Sequence, residues 1–398
     1  MPTADVLLTY AWCRSAYCAL RSYSQMGLRV AIADASPLGM CQGSRYPQAL
    51  YRYAPPLIQP EQFVADVSQA LERSHARFLL PGHDETEILS RYRHRLPPQV
   101  VLPVAPAEVL ALANDKARSI QLAESLGLPV PSCLPWDTPA ELARALQGQP
   151  ASWVVKLRRS NAAKGVFYAS QPKEVVNTCL DLVDKYHLAP ERYPIVQQRV
   201  PGEGWGVSCL YWEGQRIASF THRRLREKTP TGGVSTLRVS ARNPLLEDCA
   251  HRLLDALNWH GLAMVEFKYD PSSRQGWFIE INPRLWGSLH LAIQAGVDFP
   301  ALLYRAALEG PQAAQATLKP YREGIVARWL VGDWIAALGQ LFHLRLCAAL
   351  RILLLSRADT YDDWLPDDPG AFLGEVLYYG LGFLKTRSLN PVKANMLG

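Results

Sequence analysis

The sequence predicts a chain that is α/β followed by α+β: a Rossmann-like N-terminal domain, a strand-rich second domain and a helical C-terminal extension. Three observations carry this prediction. Short apolar runs alternate with helix patterns over the first hundred residues, the pattern turns strand-rich between 153 and 269, and apolar residues recur at helical spacing after Gly310. With 398 residues the chain exceeds one ordinary core and divides into about two to three domains.

Residues 5–9 read as a buried strand, 14–26 as a helix that Gly27 ends, and 28–33 as a second strand closed by Asp34. A helix over 63–74 and a strand over 77–80 continue the alternation, which implies a parallel, doubly wound sheet. The first turn, residues 10–15, contains no glycine, so a dinucleotide pyrophosphate cannot approach its backbone closely. The proline-rich stretch 96–106 reads as a linker. Two helix patterns then run to Gly127, and helices are expected over 172–188 and 244–259. The expected boundaries are 1–105, 106–315 and 316–398.

A hydrophobic share of 48% with 20% charged residues excludes a disordered or fibrous chain. No uncharged apolar run approaches the roughly 20 residues of a membrane span. Residues 1–5 lack the basic start and apolar block of a secretory signal, and the eight cysteines lack metal-ligand spacing. A cytoplasmic protein with reduced thiols is expected. The net charge of +6 is compatible with nucleic acid, an anionic substrate or a membrane surface.

The most informative segment is a hairpin: residues 262–269, a turn over 270–275, and 276–282. Both arms alternate with period two, so Val265, Phe267, Ile279 and Ile281 share a core face and Glu266, Lys268, Glu280 and Asn282 the other. A turn centred on Ser273 sets Glu266 opposite Glu280. Two carboxylates so opposed repel each other, and a divalent cation between them resolves the repulsion. With the Asn282 oxygen they form a hard-oxygen set suited to Mg²⁺. The competing reading is a solvated face on which Lys268 neutralises one glutamate.

The ending Glu280-Ile281-Asn282-Pro283-Arg284, with Glu266 upstream, resembles the E-x-N-P-R metal signature of the ATP-grasp superfamily, and within it the carbamoyl-phosphate-synthetase-like carboxylate–amine ligases. The resemblance covers roughly residues 106–310. It implies two ATP-grasp subdomains with a nucleotide between them, ATP as co-substrate, and Mg²⁺ or Mn²⁺ on Glu266, Glu280 and Asn282. It implies that Lys116, Lys156 and Lys164 neutralise phosphates, with Arg158 and Arg159 standing where the family's phosphate loop has small residues. Gln197, Gln198 and Val200 correspond to the adenine-holding strand, Glu203 to the ribose contact, and Met264 and Phe278 to the adenine packing surface. His222, Arg223, Arg224, Arg226 and Arg284 would face a carboxylate substrate, with Arg284 and Lys156 acting in catalysis.

The activity so implied is an ATP-dependent ligase. A small carboxylic acid or amino acid would be activated as an acyl phosphate and captured by an amine, releasing ADP and phosphate. The alternatives are a small-molecule phosphotransferase that stops at the phosphorylated product and a nucleotide-binding module without catalysis. Nucleic acid is not an expected partner, because no recognition motif accompanies the basic residues. His83-Asp84-Glu85 reads as an acidic helix N-terminus. The helices after residue 316 are expected to pack on the ATP-binding domain, a homodimer interface and peripheral membrane contact being the other roles weighed. Asp362, Asp363, Asp367 and Asp368 read as an acidic turn.

Overall fold

Strands β1 (Val6–Thr9), β2 (Val30–Asp34), β3 (Ala49–Arg52) and β4 (Phe78–Leu80) form a parallel sheet in the order β3-β2-β1-β4. The computed structural model describes residues 3–149, 152–160, 165–229, 232–342, 344–354 and 356–386. β1, β2 and β4 are wholly buried, as apolar strands covered on both faces require. The glycine-free turn after β1 holds Tyr10 in the left-handed region at φ 58°, where its N–H donates to the Tyr53 hydroxyl at 3.1 Å. β3 was not apparent from the sequence; its residues alternate between half-buried and exposed.

A second, antiparallel sheet has the order β5-β8-β6-β7, from β5 (Cys133–Leu134), β6 (Trp153–Lys156), β7 (Val166–Ala169) and β8 (Ile195–Gln198). Helices Pro139–Ala145 and Pro172–Tyr186 cover it, and their apolar faces supply its core.

Among the described residues the third sheet has seven strands in the order β13-β12-β9-β10-β11-β14-β15. They are β9 (Glu203–Trp212), β10 (Gln215–Thr229), β11 (Gly232–Ser240), β12 (Gly261–Asp270), β13 (Gln275–Asn282), β14 (Val326–Arg328) and β15 (Thr360–Tyr361). One face of this sheet shares a core with the N-terminal sheet through residues such as Val207, Val265 and Leu79.

The C-terminal region contains helices Leu330–Phe342, Leu346–Leu354 and Pro369–Thr386. It also adds β14 and β15 to the large sheet. The four aspartates of its acidic turn are each engaged, Asp362 by ion pairs and the others by donors. Asp362 pairs with Arg238 and Arg14, and Asp363 accepts from the Leu330 and Val331 N–H groups. Asp367 pairs with Arg21, while Asp368 accepts from Tyr17, Ser44 and the Arg45 N–H. These contacts fasten the region to the sheet and to the N-terminal domain. Among the described residues no helix is long and apolar enough to cross a membrane.

Candidate active site

A cavity of about 720 Å³ is lined by strands of the second and third sheets, by the turn after β1 and by the C-terminal helix. The β12–β13 hairpin carries its acidic wall. The two strands pair Glu266 with Glu280 and Met264 with Asn282, the register that alternation predicts. Each carboxylate has a cation of its own. Arg224 Nη2 lies 2.6 Å from Glu266 Oε1, and Lys116 Nζ lies 3.1 Å from Glu280 Oε2. Lys268, the neutralising candidate, instead donates to the Gly202 carbonyl.

Asn282 bridges the wall to Arg284: its amide donates to Glu266 Oε1 at 3.0 Å, and its oxygen accepts from Arg284 Nη2 at 2.8 Å. Burial is the largest influence on Glu266 and holds its carboxyl above the usual range, with Arg224 opposing it. For Glu280 the cations Lys116, Lys156 and Arg284 together outweigh burial and leave it below that range. Two carboxylates and an amide oxygen on one wall are a hard-oxygen donor set, and they fit a divalent cation such as Mg²⁺.

Opposite stands the smaller sheet. Lys156, at the end of β6, is buried and lines the cavity; burial pushes its ammonium down to about 8, while Glu280 pulls the other way. Lys116 opens helix Lys116–Ser125, whose first turn is capped by Asp115, and it also donates to the Ser160 carbonyl at 2.7 Å. Gln197, Gln198 and Val200 line the cavity. The Gln197 oxygen is buried without a hydrogen-bond partner among the described residues, whereas the Gln198 N–H is engaged with the Ser132 carbonyl. Met264 and His222 line it too. His222 is buried and held well below its ordinary value, and it packs where any Cβ on Gly206 would fall 2.4 Å from its ring.

Four expected site residues lie elsewhere. Phe278 is in the core against Phe267 and Ile279 lines the cavity, because the hairpin ladder slips by one residue between Glu280 and Phe278. Arg223 and Glu203 lie outside the lining and pair with each other at 3.3 Å, since they alternate with His222 and Gly204, which do line it. Arg226 is displaced by irregular pairing of β10 with β11; it binds Asp333 at 2.5 Å and donates to Thr236 and Ser356. Lys164 lies outside the described residues. Arg158 and Arg159 pair with Asp115 and Glu87, both at 2.7 Å, and so fasten the segment rather than face the cavity.

Several lining residues were not foreseen: Tyr10, Trp12, Arg14, Trp286, Trp329, Glu375 and Tyr379. They come from segments far apart in sequence, and no local pattern joins them. The glycine-free turn after β1 was the one available signal, since it places aromatic side chains where a nucleotide loop would have glycine. His83 lines the cavity as well and stacks on Tyr10 at 4.5 Å, while Glu85 is the acidic residue of the helix start, accepting from Thr9, Gly82 and His83. Among the described residues no group of three or more histidine, cysteine, aspartate or glutamate side chains forms a metal cluster.

Residues 191–331 match the family model described as ATP-grasp in the biosynthetic pathway with Ter operon. Biotin carboxylase from Campylobacter jejuni is similar in structure, with TM-score 0.62 and 14% identity over 80% of this chain and 72% of that one. An L-amino acid ligase from Bacillus licheniformis gives TM-score 0.60 and 16% identity, covering 78% and 75%. N5-carboxyaminoimidazole ribonucleotide synthetase from Thermus thermophilus gives 0.58 and 20%, covering 81% of each chain. No curated protein matches the sequence. Residues 191–331 are thus similar to an ATP-grasp family, and the likeness to these solved structures shows that most of the chain has the ATP-grasp fold.

Proposed function

We propose that the chain is an ADP-forming carboxylate–amine ligase, with residues 106–315 as its ATP-grasp unit. The observation that carries the reading is one wall bearing two register-opposed carboxylates, Glu266 and Glu280, with Arg224, Lys116 and Lys156 converging on them. Phosphoryl transfer is largely a matter of position and charge neutralisation, and such a wall supplies both.

A carboxylate oxygen of the acid, oriented by Arg224 and Arg284, bonds to the γ-phosphorus of ATP as the bridging oxygen leaves with ADP. The amine nitrogen then bonds to the acyl carbon, phosphate departs, and the amine gives up a proton. Lys156 and Lys116 balance the charge of the phosphates, and Arg284 stabilises the developing oxyanion. Glu266, Glu280 and Asn282 would hold Mg²⁺, which neutralises triphosphate charge when bound. To accept it, the Asn282 oxygen must exchange its bond from Arg284. Gln197 and the 198–200 segment would take the adenine, with Met264 and Ile279 against its face.

Measuring ADP release over a panel of acids and amines tests the reading. ADP that appears only when acid and amine are both present is expected, and Glu280→Ala should reduce it by about a hundredfold or more. Phosphorylated acid accumulating without demand for amine would replace the ligase by a phosphotransferase. Turnover indifferent to Glu280→Ala would reject the site.

A further inference from the structure

One part of the cavity has no task in this chemistry. Helix Pro369–Thr386 brings Glu375 and Tyr379 to the lining, beside Trp329 and Trp12. Glu375 is 2% exposed; its Oε1 accepts from Trp329 Nε1 at 3.0 Å, and its Oε2 is buried with no hydrogen-bond partner among the described residues. The Tyr379 ring has Trp329 at 6.1 Å and Trp12 at 6.3 Å between centroids.

The charges around it do not balance. Arg14 and Arg238 both pair with Asp362, and Arg14 lies 3.8 Å over the Trp329 ring. Asp363 is occupied by two backbone N–H groups. Two guanidinium groups thus stand against three carboxyls, and among the described residues Glu375 forms no ion pair, Arg14 attracting it only from beyond Asp362 and the Trp329 ring. Burial, and then Asp363, hold it well above the usual carboxylate range. A buried carboxyl in that condition gains from any cation that can reach it.

We infer that Glu375 and the rings of Trp12, Trp329 and Tyr379 form a subsite for an organic ammonium. The ammonium supplies the donor that Oε2 lacks, and the ring faces attract its charge. A metal ion finds one free oxygen there, whereas an alkylammonium uses the oxygen and the aromatic walls together. Under the ligase reading the ammonium belongs to the amine co-substrate; the subsite itself stands on the geometry of the cavity.

Butylammonium and its neutral counterpart n-butanol, titrated against tryptophan fluorescence without ATP, test the inference on the whole chain. Butylammonium should bind at least about tenfold more tightly than n-butanol. Glu375→Gln, which keeps the acceptor for Trp329, should abolish that preference. Trp12→Leu, at a half-buried position, should weaken butylammonium severalfold if the glutamine variant fails to fold. Equal binding of the two probes, or a preference that survives Glu375→Gln, overturns the subsite. Butylammonium binding in a protein that never releases ADP would reject the ligase and keep the subsite; ligase activity without the preference would do the reverse.

A separate surface carries a second inference. Helices Leu330–Phe342 and Leu346–Leu354 form a hairpin whose Leu338, Leu341, Phe342, Leu344, Leu346 and Leu350 are exposed, Leu344 by 94%. From Trp334 to Ala358 the sequence contains Arg345, Arg351 and Arg357 and no acidic residue. An apolar tip interleaved only with cations complements an anionic lipid surface, into which the leucines bury while the guanidinium groups meet headgroup phosphates. We propose that this hairpin docks on anionic membranes. The protein should sediment with phosphatidylcholine vesicles containing about one-third phosphatidylglycerol and not with phosphatidylcholine alone. Leu344→Asp, at an exposed position that does not disturb the core, should release it. Binding indifferent to lipid charge or to Leu344→Asp overturns the proposal, as does a vesicle-independent dimer that Leu344→Asp splits.

Discussion

Arg224 and Lys116 each hold one of two facing carboxylates; Glu280 keeps Lys156 and Arg284 near it if Lys116 is lost, whereas Glu266 without Arg224 is an uncompensated buried charge. Arg224→Met should lower stability by about 3 kcal/mol, read from the urea midpoint, whereas Lys268→Ala, on a partly exposed side chain, should leave the midpoint unchanged. Glu85 titrates differently. It opens the helix after β4 and is buried against Thr9 of β1, and burial outweighs its three donors and pushes its carboxyl up to about 7. A carboxyl raised in the folded state favours folding while protonated. Its contribution is therefore full below about 4.5 and is lost as pH rises through about 7, a change on the order of 3 kcal/mol. Glu85→Gln should flatten that window in a series of denaturation curves; an unchanged pH slope would assign the titration elsewhere.

At the scale of elements, the β12–β13 hairpin shows what periodicity reveals and what it misses. Alternation with a turn centred on Ser273 set Glu266 opposite Glu280, and the structure has that pair by another route: the turn pairs Asp270 with Gln275, and one extra residue, Ile279, shifts the ladder to bring the two glutamates together. The bulge at Ile279 has no signature in a run of apolar residues, so Phe278 and Ile279 exchanged faces. The same limit applies to β10: period two separates His222 and Arg224 from Arg223, but the irregular pairing beyond Arg224 redirects Arg226 to Asp333. The exchange is testable. Phe278→Ala should cost about 3–5 kcal/mol of stability through a core cavity. Ile279→Trp should leave the thermal midpoint within a few degrees and raise KM for ATP several-fold in an ADP-release assay.

For the whole molecule, the segment read as a helical appendage proves to be part of the large sheet and of the cavity wall. β14 and β15 are three and two residues of strand, too short for a pattern to mark; β14 pairs with β11, about ninety residues upstream, and β15 with β14. Helix periodicity after Gly310 was legible; the strands between the helices, and the side chains they deliver to the cavity, depend on tertiary pairing. Ending the chain after Ala316 should thus leave β11 as an open edge and yield an aggregated, inactive protein. A soluble truncated chain with full ADP release would show that the C-terminal wall is dispensable.

Trp329, Glu375 and Tyr379 close a cavity whose opposite wall begins at Tyr10. During synthesis the carboxylates, lysines and arginines of the site leave the ribosome long before Tyr379 does. Until helix Pro369–Thr386 has docked, those charged groups stand open to solvent, so the enclosed cavity forms only once segments more than three hundred residues apart have come together.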